Sequence, residues 1–200
     1  MTASSEIAAG FADNVIDSQA AFRTLLECVA RPGTVKVLRS NVAPPLPLLP
    51  ATAALILTLS DYETSIWLDA PLANSPDVIA FVRFHTQSRL AESPADADFA
   101  IVSDPEGMPP LIAFKQGSPE FPERSSTLLV QVNSFSDKGP FFSGPGIRDT
   151  IRFWAEPLPV GLQQQLSLNR TQFPCGVDLV FVGTDAISAL PRSVRLAEVD

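Results

Sequence analysis

Residues 127–135 limit the fold of this chain more than any other segment. They form its longest uninterrupted strand-like run, and their Leu-Leu-Val-Gln-Val core places apolar side chains on both faces of an extended backbone. A strand that is apolar on both faces has to be covered on both faces. The run therefore predicts a central strand in a sheet with further layers above and below it.

Shorter strand-like runs alternate with helical patterns along the rest of the 200 residues. This alternation favours an α/β fold, and a hairpin made by the last two long strands makes the sheet mixed. We predict one domain over 17–200, a mixed β-sheet flanked by helices, after a flexible arm at 1–16. The other predicted strands are 34–38, 65–68, 99–102, 177–182, 187–190 and an edge strand in the last ten residues; the later helices are 51–59, 76–84, a short one after Pro110, and 157–169.

The first helix is predicted to begin at Asp17-Ser18, a pair that can cap it. Phe22, Leu25, Leu26 and Val29 follow at i, i+3, i+4 and i+7, so we expect them to form the face that packs on the core. Cys28 falls beside this face and is expected to act as a small buried hydrophobe. Arg31-Pro32-Gly33 ends the helix.

The charge balance excludes a general nucleic-acid binder. Asp and Glu total 22 against 14 Lys and Arg, which gives a net charge of −8 and no basic run. Nucleic-acid readers need a basic face to neutralise phosphates, although a small local pocket can still attract an anion. Charged residues make up 18% of the chain, against an average of about 25%. The low charged fraction favours a surface that a partner covers.

Membrane insertion and metal clusters are not predicted either. The longest uncharged stretch, 40–60, is broken by four prolines, and its apolar remainder is too short for a bilayer span. The start of the chain lacks the basic region of a signal peptide. Two cysteines, Cys28 and Cys175, make neither a disulfide framework nor a zinc cluster. We therefore expect a soluble, cytoplasmic protein.

Few residues suggest catalysis. His85 is the single histidine and has no Gly-x-Ser-x-Gly partner, so a helix-terminal structural role is the leading interpretation. Lys36, Lys115 and Lys138 are the three lysines available for a Schiff base with pyridoxal phosphate, and each has an ordinary exposed setting. Carboxylates that lie close in the sequence could bind Mg²⁺ or exchange protons, but solvated loop charges explain them better. They are Asp61, Glu63, Asp69, Asp96 and Asp98.

One glycine loop and one arginine remain as candidates for anion binding. Gly144-Pro145-Gly146 could present backbone N–H groups to an anion, and Arg148 and Arg152 follow it. Its proline removes one donor and its spacing matches no phosphate-binding motif, so a tight turn is the stronger interpretation. Arg192 could bind an anion or form a salt bridge.

An ordered series of short motifs resembles the PhnH family, subunits of the carbon–phosphorus lyase core complex of bacterial phosphonate use. The resemblance spans about residues 17–195, and two motifs in order carry most of it: Arg83-Phe84-His85-Thr86 and Ser143-Gly144-Pro145-Gly146-Ile147. Supporting motifs are Phe22-Arg23, Leu57-Thr58-Leu59, Trp67-Leu68, Gln131-Val132, Phe173-Pro174 and Pro191-Arg192.

This resemblance implies a mixed sheet similar to that of pyridoxal-phosphate transferases, without the cofactor. It implies a homodimer in isolation and partnership with the G, I and J subunits of the complex. That complex transfers a phosphonate to C1 of the ribose of a nucleoside triphosphate and releases the base. The family assigns no catalytic residue to this subunit, so none is carried over to this chain.

Three hypotheses follow from the sequence. The first is a non-catalytic subunit that holds the active complex together. The second is a subunit that contacts nucleotide or phosphonate directly, with Arg83, His85, Gly144, Gly146 and Arg192 as its ligand-binding candidates. The third is an unrelated small-molecule enzyme on the same fold, because fold alone does not fix function.

Overall fold

A seven-stranded mixed sheet lies at the centre of the structure, a computed structural model that describes residues 7–197. The strand order is β1-β9-β8-β5-β4-β2-β3, and β9 alone runs against its neighbours. The predicted mixed α/β fold is confirmed. The strands are β1 (Lys36–Val37), β2 (Ser65–Leu68), β3 (Arg89–Leu90), β4 (Phe99–Val102), β5 (Thr127–Gln131), β8 (Asp178–Val182) and β9 (Ala186–Leu190).

The central strand is β5, as residues 127–135 predict. It pairs in parallel with β4 and β8, and Leu128, Leu129 and Val130 are completely buried. The predicted run is too long, however, because the strand ends at Gln131. The backbone N–H of Asn133 donates to the carbonyl oxygen of Glu156 at 2.7 Å, so the chain turns there into a second sheet.

This second, antiparallel sheet has the order β10-β6-β7, and the sequence did not predict it. Its strands are β6 (Ser134–Ser143), β7 (Ile151–Glu156) and β10 (Arg195–Leu196). An Asp-Lys-Gly-Pro segment interrupts β6 and shifts its register on β7 between Ser136 and Phe141. Asp, Gly and Pro are typical of turns, so this part of the sequence predicts a loop and not a strand. The edge strand expected in the last ten residues is β10.

Helices cover one face of the large sheet, and the second sheet lies on the other face. The helices of the chain are α1 (Asn14–Ala30), α2 (Pro50–Leu59), α3 (Ala70–Ala73), α4 (Pro76–Thr86) and α5 (Leu162–Thr171). Side chains of α1, α2 and α4 form one hydrophobic core with that face of the large sheet. The second sheet, α5 and short 3₁₀ turns form another core on the remaining face. The large sheet is therefore covered on both faces.

The helix α1 begins earlier than predicted. Asp13, not Asp17, is its N-cap, and one Asp13 carboxylate oxygen accepts from the N–H groups of Val15 and Ile16, each at 3.0 Å. Residues 14–16 of the predicted arm are therefore helical, which corrects its boundary. Ala8 and Phe11 pack against the core, and residues 1–6 of the arm lie outside the described residues.

The other helices agree more closely with the sequence. Ser75 caps α4 by accepting from the N–H of Val78, and Pro76 takes the first helical position. The helix α2 extends one residue before the predicted 51–59, and α5 is shorter than the predicted 157–169 at its start. Within residues 7–197, no helix is both long and apolar enough to cross a bilayer.

Candidate functional site

The last turn of α4 carries two of the five candidates, Arg83 and His85. His85 Nε2 donates to the carbonyl oxygen of Ala8 at 2.8 Å, which places the ring proton on that nitrogen. The His85 ring also packs on Phe81 and Phe84, with centroid distances of 4.6 and 5.0 Å. These contacts make His85 the side chain that attaches the N-terminal segment to α4, while Arg83 is exposed beside it.

The glycine loop after β6 is packed against two other segments. A Cβ on Gly146 would come within 2.1 Å of the carbonyl oxygen of Ala30, at the end of α1, and its φ of +82° favours glycine. Gly144 lies against the backbone of Ser193 and Val194. The loop therefore joins α1 to the chain after β9, and its glycines allow close packing.

Arg192 forms a salt bridge, one of the two roles that the sequence left open. Its Nε donates to both carboxylate oxygens of Asp178, at 3.1 and 3.2 Å, and one terminal nitrogen completes the pair. The other terminal nitrogen donates to the carbonyl oxygens of Pro122 and Pro174, at 2.7 and 3.3 Å. The guanidinium thus ties β8 to two loops, and all three of its nitrogens take part in these contacts.

The five candidates do not form one site. Gly144, Gly146 and Arg192 lie near the end of α1 and the segment after β9, whereas Arg83 and His85 lie on α4. The helix α2 packs against both α1 and α4. Ligand binding by these residues stays a prediction.

Two of the five carboxylates named from the sequence, Asp69 and Asp98, are bonded within the fold, whereas Asp61, Glu63 and Asp96 are exposed. Asp69 is buried after β2, and its Oδ2 accepts from the N–H groups of Ser103 and Asp104, at 2.5 and 2.7 Å. Asp98 pairs with Lys115 at 2.7 Å and accepts from Ser65. Burial raises the pKa of Asp98, but the hydrogen bonds from Lys115 and Ser65 outweigh burial and lower it overall. In the part of the chain that the structure describes, no group of three His, Cys, Asp or Glu side chains could hold a metal ion.

The predicted core face of α1 is the main error of the sequence analysis. Of its four residues only Leu25 is buried; Ala21 and Cys28 complete the buried side. Cys28 Sγ lies 3.5 Å from the carbonyl oxygen of Ile187 in β9, so the small side chains of α1 are those that face the sheet. Periodicity locates an apolar face but cannot tell whether this chain or another one covers it.

The outward side of α1 carries a line of large apolar side chains, which we call the outer ridge: Val15, Phe22, Leu26 and Val29. Their exposed fractions are 76%, 44%, 49% and 40%. Positions 15, 22 and 29 are each two helical turns apart, so the ridge extends about 21 Å along the helix. Val37 on the edge strand β1 and Val35 just before it are exposed as well. Exposed apolar side chains in a row mark a surface that another molecule covers.

Comparison with known proteins places these features in a family. The family model described as "Bacterial phosphonate metabolism protein (PhnH)" matches residues 9–197. One similar protein, from Rhizobium meliloti (strain 1021), is alpha-D-ribose 1-methylphosphonate 5-triphosphate synthase subunit PhnH, 37% identical over 98% of each chain. Another is the putative C-P lyase subunit protein HtxG of Stutzerimonas stutzeri, 30% identical over 89% of this chain and 85% of that one. The chain, with its sheet covered on both faces and its exposed ridge, therefore belongs to the PhnH family of bacterial phosphonate metabolism proteins.

Proposed function

We propose that this chain is a non-catalytic subunit of the carbon–phosphorus lyase core complex in phosphonate catabolism. In that complex it supports the transfer of a phosphonate to C1 of the ribose of a nucleoside triphosphate, with release of the base. The names of two relatives, a synthase subunit and a putative C-P lyase subunit, support a role inside an assembly.

The outer ridge of α1 is the observation that carries this proposal. Four large apolar side chains in a line along one helix remain exposed after the rest of the chain has folded. Covering them with the apolar surface of a neighbouring subunit would remove that surface from water, which stabilises the assembly at about 25 cal/mol per Å². Permanent complexes have apolar interfaces of this kind.

Several of the side chains that could react have structural contacts instead. His85 is hydrogen-bonded to the carbonyl oxygen of Ala8. Arg192 forms an ion pair with Asp178, and Lys115 forms one with Asp98. Lys36 pairs with Glu27 at 3.0 Å. These contacts support a subunit that works without pyridoxal phosphate, because two of the three lysines are committed to carboxylates. The likeness of the large sheet to that of pyridoxal-phosphate transferases stays a prediction.

The same proposal includes the oligomeric state of the chain, its partner subunits and its location in the cell. The chain forms a homodimer when isolated and joins the G, I and J subunits in the cytoplasm. The low charged fraction of 18% supports a surface that is largely covered in the assembly.

Co-expression of the tagged chain with the G and I subunits, followed by native mass spectrometry, tests this proposal. We expect a stoichiometric complex, and no synthase turnover by the purified chain alone. A chain recovered only as a free dimer would contradict a role in the assembly. Turnover of a nucleoside triphosphate and a phosphonate by the chain alone would contradict the non-catalytic role.

The second hypothesis, direct contact with substrate, can be separated from the first by Arg83→Ala and His85→Ala. If these residues bind substrate, the variants raise KM or abolish synthesis while the complex still assembles. If they serve only the fold, His85→Ala weakens the attachment of Ala8 and stability falls with activity.

A further inference from the structure

We propose that a cleft between residues 33–35 and residues 136–138 binds the triphosphate end of a ribosyl triphosphate. We call it the hairpin cleft, because β6 and β7 form one of its walls. This inference rests on the proposed function, since the R. meliloti relative is named for a 5-triphosphate product. It adds a binding site to a subunit for which we propose no catalytic residue.

Two cations define the chemistry of the hairpin cleft. Lys138 and Arg152 both line it, and both are exposed. Within residues 7–197, the basic side chains that form ion pairs are Lys36, Lys115 and Arg192, so Lys138 and Arg152 are available to an anion. A lysine ammonium and an arginine guanidinium are the groups that bind phosphate oxygens best.

The interruption in β6 shapes this wall. The register of β6 on β7 shifts between Ser136 and Phe141, so the segment with Lys138 leaves the ladder. Ser136 Oγ accepts from the N–H of Lys138 at 3.0 Å, which fixes the turn. A Cβ on Gly139 would come within 2.3 Å of the carbonyl oxygen of Phe153, so this glycine holds the turn close to β7.

Arg152 is positioned by an aromatic ring. It lies opposite Phe141 in the register of the two strands, and its guanidinium carbon is 4.6 Å from the centre of the Phe141 ring. Stacking on a ring restricts the guanidinium while leaving its N–H donors free. Less conformational freedom is then lost when the side chain binds an anion.

The size and the remaining lining suit a phosphorylated sugar. The hairpin cleft has a volume of about 510 Å³, within the range of roughly 300–1,000 Å³ for small-molecule sites. Phe135 and Phe153 supply apolar surface, and Ser136 supplies a hydroxyl. Asp137 shares the cleft but pairs with neither cation in the described chain, and the three charges sum to +1 in a protein of net charge −8.

Another cleft of the chain is less suited to a polyanion. It lies beside α1, has a volume of about 210 Å³, and places Asp17 in its lining together with Arg39. One cation and one carboxylate give it no net positive charge. The hairpin cleft is both larger and more positive.

Titration calorimetry of the purified chain with tripolyphosphate and with ATP tests the inference. We expect binding of both, and at least a tenfold weaker affinity in the double variant Lys138→Gln/Arg152→Gln. The matched control is Arg23→Gln/Arg89→Gln, which removes two exposed arginines from α1 and β3 and the same total charge. The control should bind like the wild type, and all three proteins should unfold at the same urea concentration.

Two results would overturn the inference. One is no binding of tripolyphosphate or ATP by the wild-type chain. The other is an equal loss of affinity in the two double variants, which would mean that only overall charge attracts the anion. Either result leaves the proposed function intact if the chain still assembles with the G and I subunits, so the two failures can be told apart.

Discussion

The helices α1 and α2 are neighbours on the same face of the large sheet, yet most of α2 is buried and most of α1 is exposed to solvent. In α2, six consecutive residues from Ala51 to Ile56 are buried. In α1, three residues of seventeen are buried, and five large apolar side chains are exposed, four of them on the outer ridge. Both helices contain many apolar residues, but α1 also carries Asp17, Arg23 and Glu27, whereas α2 has no charged residue.

The difference shows what each helix packs against. A helix that is apolar all round is stable only when it is enclosed, and α2 is enclosed by α1, α4 and the sheet. The helix α1 has two apolar sides, and this chain covers one of them. We infer that a neighbouring subunit covers the other, so α2 is a core helix of the chain and α1 a core helix of the assembly.

Replacing a leucine in each helix should give the largest contrast. Leu55 in α2 is fully buried, so Leu55→Ala should lower the free energy of unfolding by about 2–5 kcal/mol through lost contacts and a cavity. Leu26→Ala on the outer ridge should cost less than about 1 kcal/mol, because the side chain is already half in water. Urea unfolding of the isolated variants measures both. Equal losses would show that the ridge is part of the core of the free chain.

The start of α2 offers a second contrast with α1. Leu49 is its N-cap and offers no capping side chain; instead, Gln131 at the end of β5 accepts from the N–H of Leu49 at 2.7 Å and donates to the carbonyl oxygen of Pro47 at 2.9 Å. We expect Gln131→Ala to cost about 1–3 kcal/mol, because it leaves two partly buried backbone groups without partners. Urea unfolding checks this value, and Gln131→Ala with wild-type stability would contradict it.

The start of α1 depends on its own sequence. The carboxylate of Asp13 accepts from two N–H groups of the first turn. Removing such a cap costs about 1 kcal/mol, so Asp13→Ala should destabilise the chain by that amount and less than Gln131→Ala does. The comparison variant is Asp17→Ala, at the position that the sequence favoured as the cap; its carboxylate accepts from one N–H, that of Asp13 at 3.1 Å, so we expect a smaller loss. A larger loss for Asp17→Ala would contradict the assignment of Asp13.

Thiol chemistry tests which side of α1 is buried. The variant that it needs should change the stability of the chain little. Burial raises the pKa of Cys28 to about 11, and the thiolate is the reactive form. Cys175 is only partly buried. At pH 8, Ellman's reagent should therefore modify Cys175 of the native chain quickly and Cys28 only after unfolding. Cys175→Ser should abolish the fast reaction; a fast thiol in that variant would place Cys28 at the surface.

Local patterns predicted most of the large sheet and the helices α2 and α4, but not the second sheet or the buried side of α1. Apolar runs identified β2 and β4 with their exact ends, because turn residues flank both. The chain offers two acidic caps four residues apart, and only the hydrogen bonds select Asp13 for α1. The hairpin of β6 and β7 was missed because its shifted register is set by contacts with β7, not by its own sequence.

The candidate residues show the same limit. His85 bonds to a carbonyl 77 residues away, and Arg192 to one 70 residues away, so their structural contacts could not be identified from sequence. Arg152 was noted only for following the glycine loop. The structure places it with Lys138, fourteen residues earlier in the chain, in one cleft. The sequence indicated which residue types could bind an anion. It did not indicate which of these residues lie together in the folded chain.

The most direct test of the contrast between α1 and α2 is assembly with a charge on the outer ridge. Leu26→Glu and Leu168→Glu place the same charge at exposed leucines of two helices, with exposed fractions of 49% and 58%. Each tagged variant is co-expressed with the G and I subunits, and the purified complex is measured by native mass spectrometry. We predict that Leu26→Glu remains folded but fails to assemble, whereas Leu168→Glu assembles like the wild type. Assembly of Leu26→Glu at the wild-type level would contradict the account.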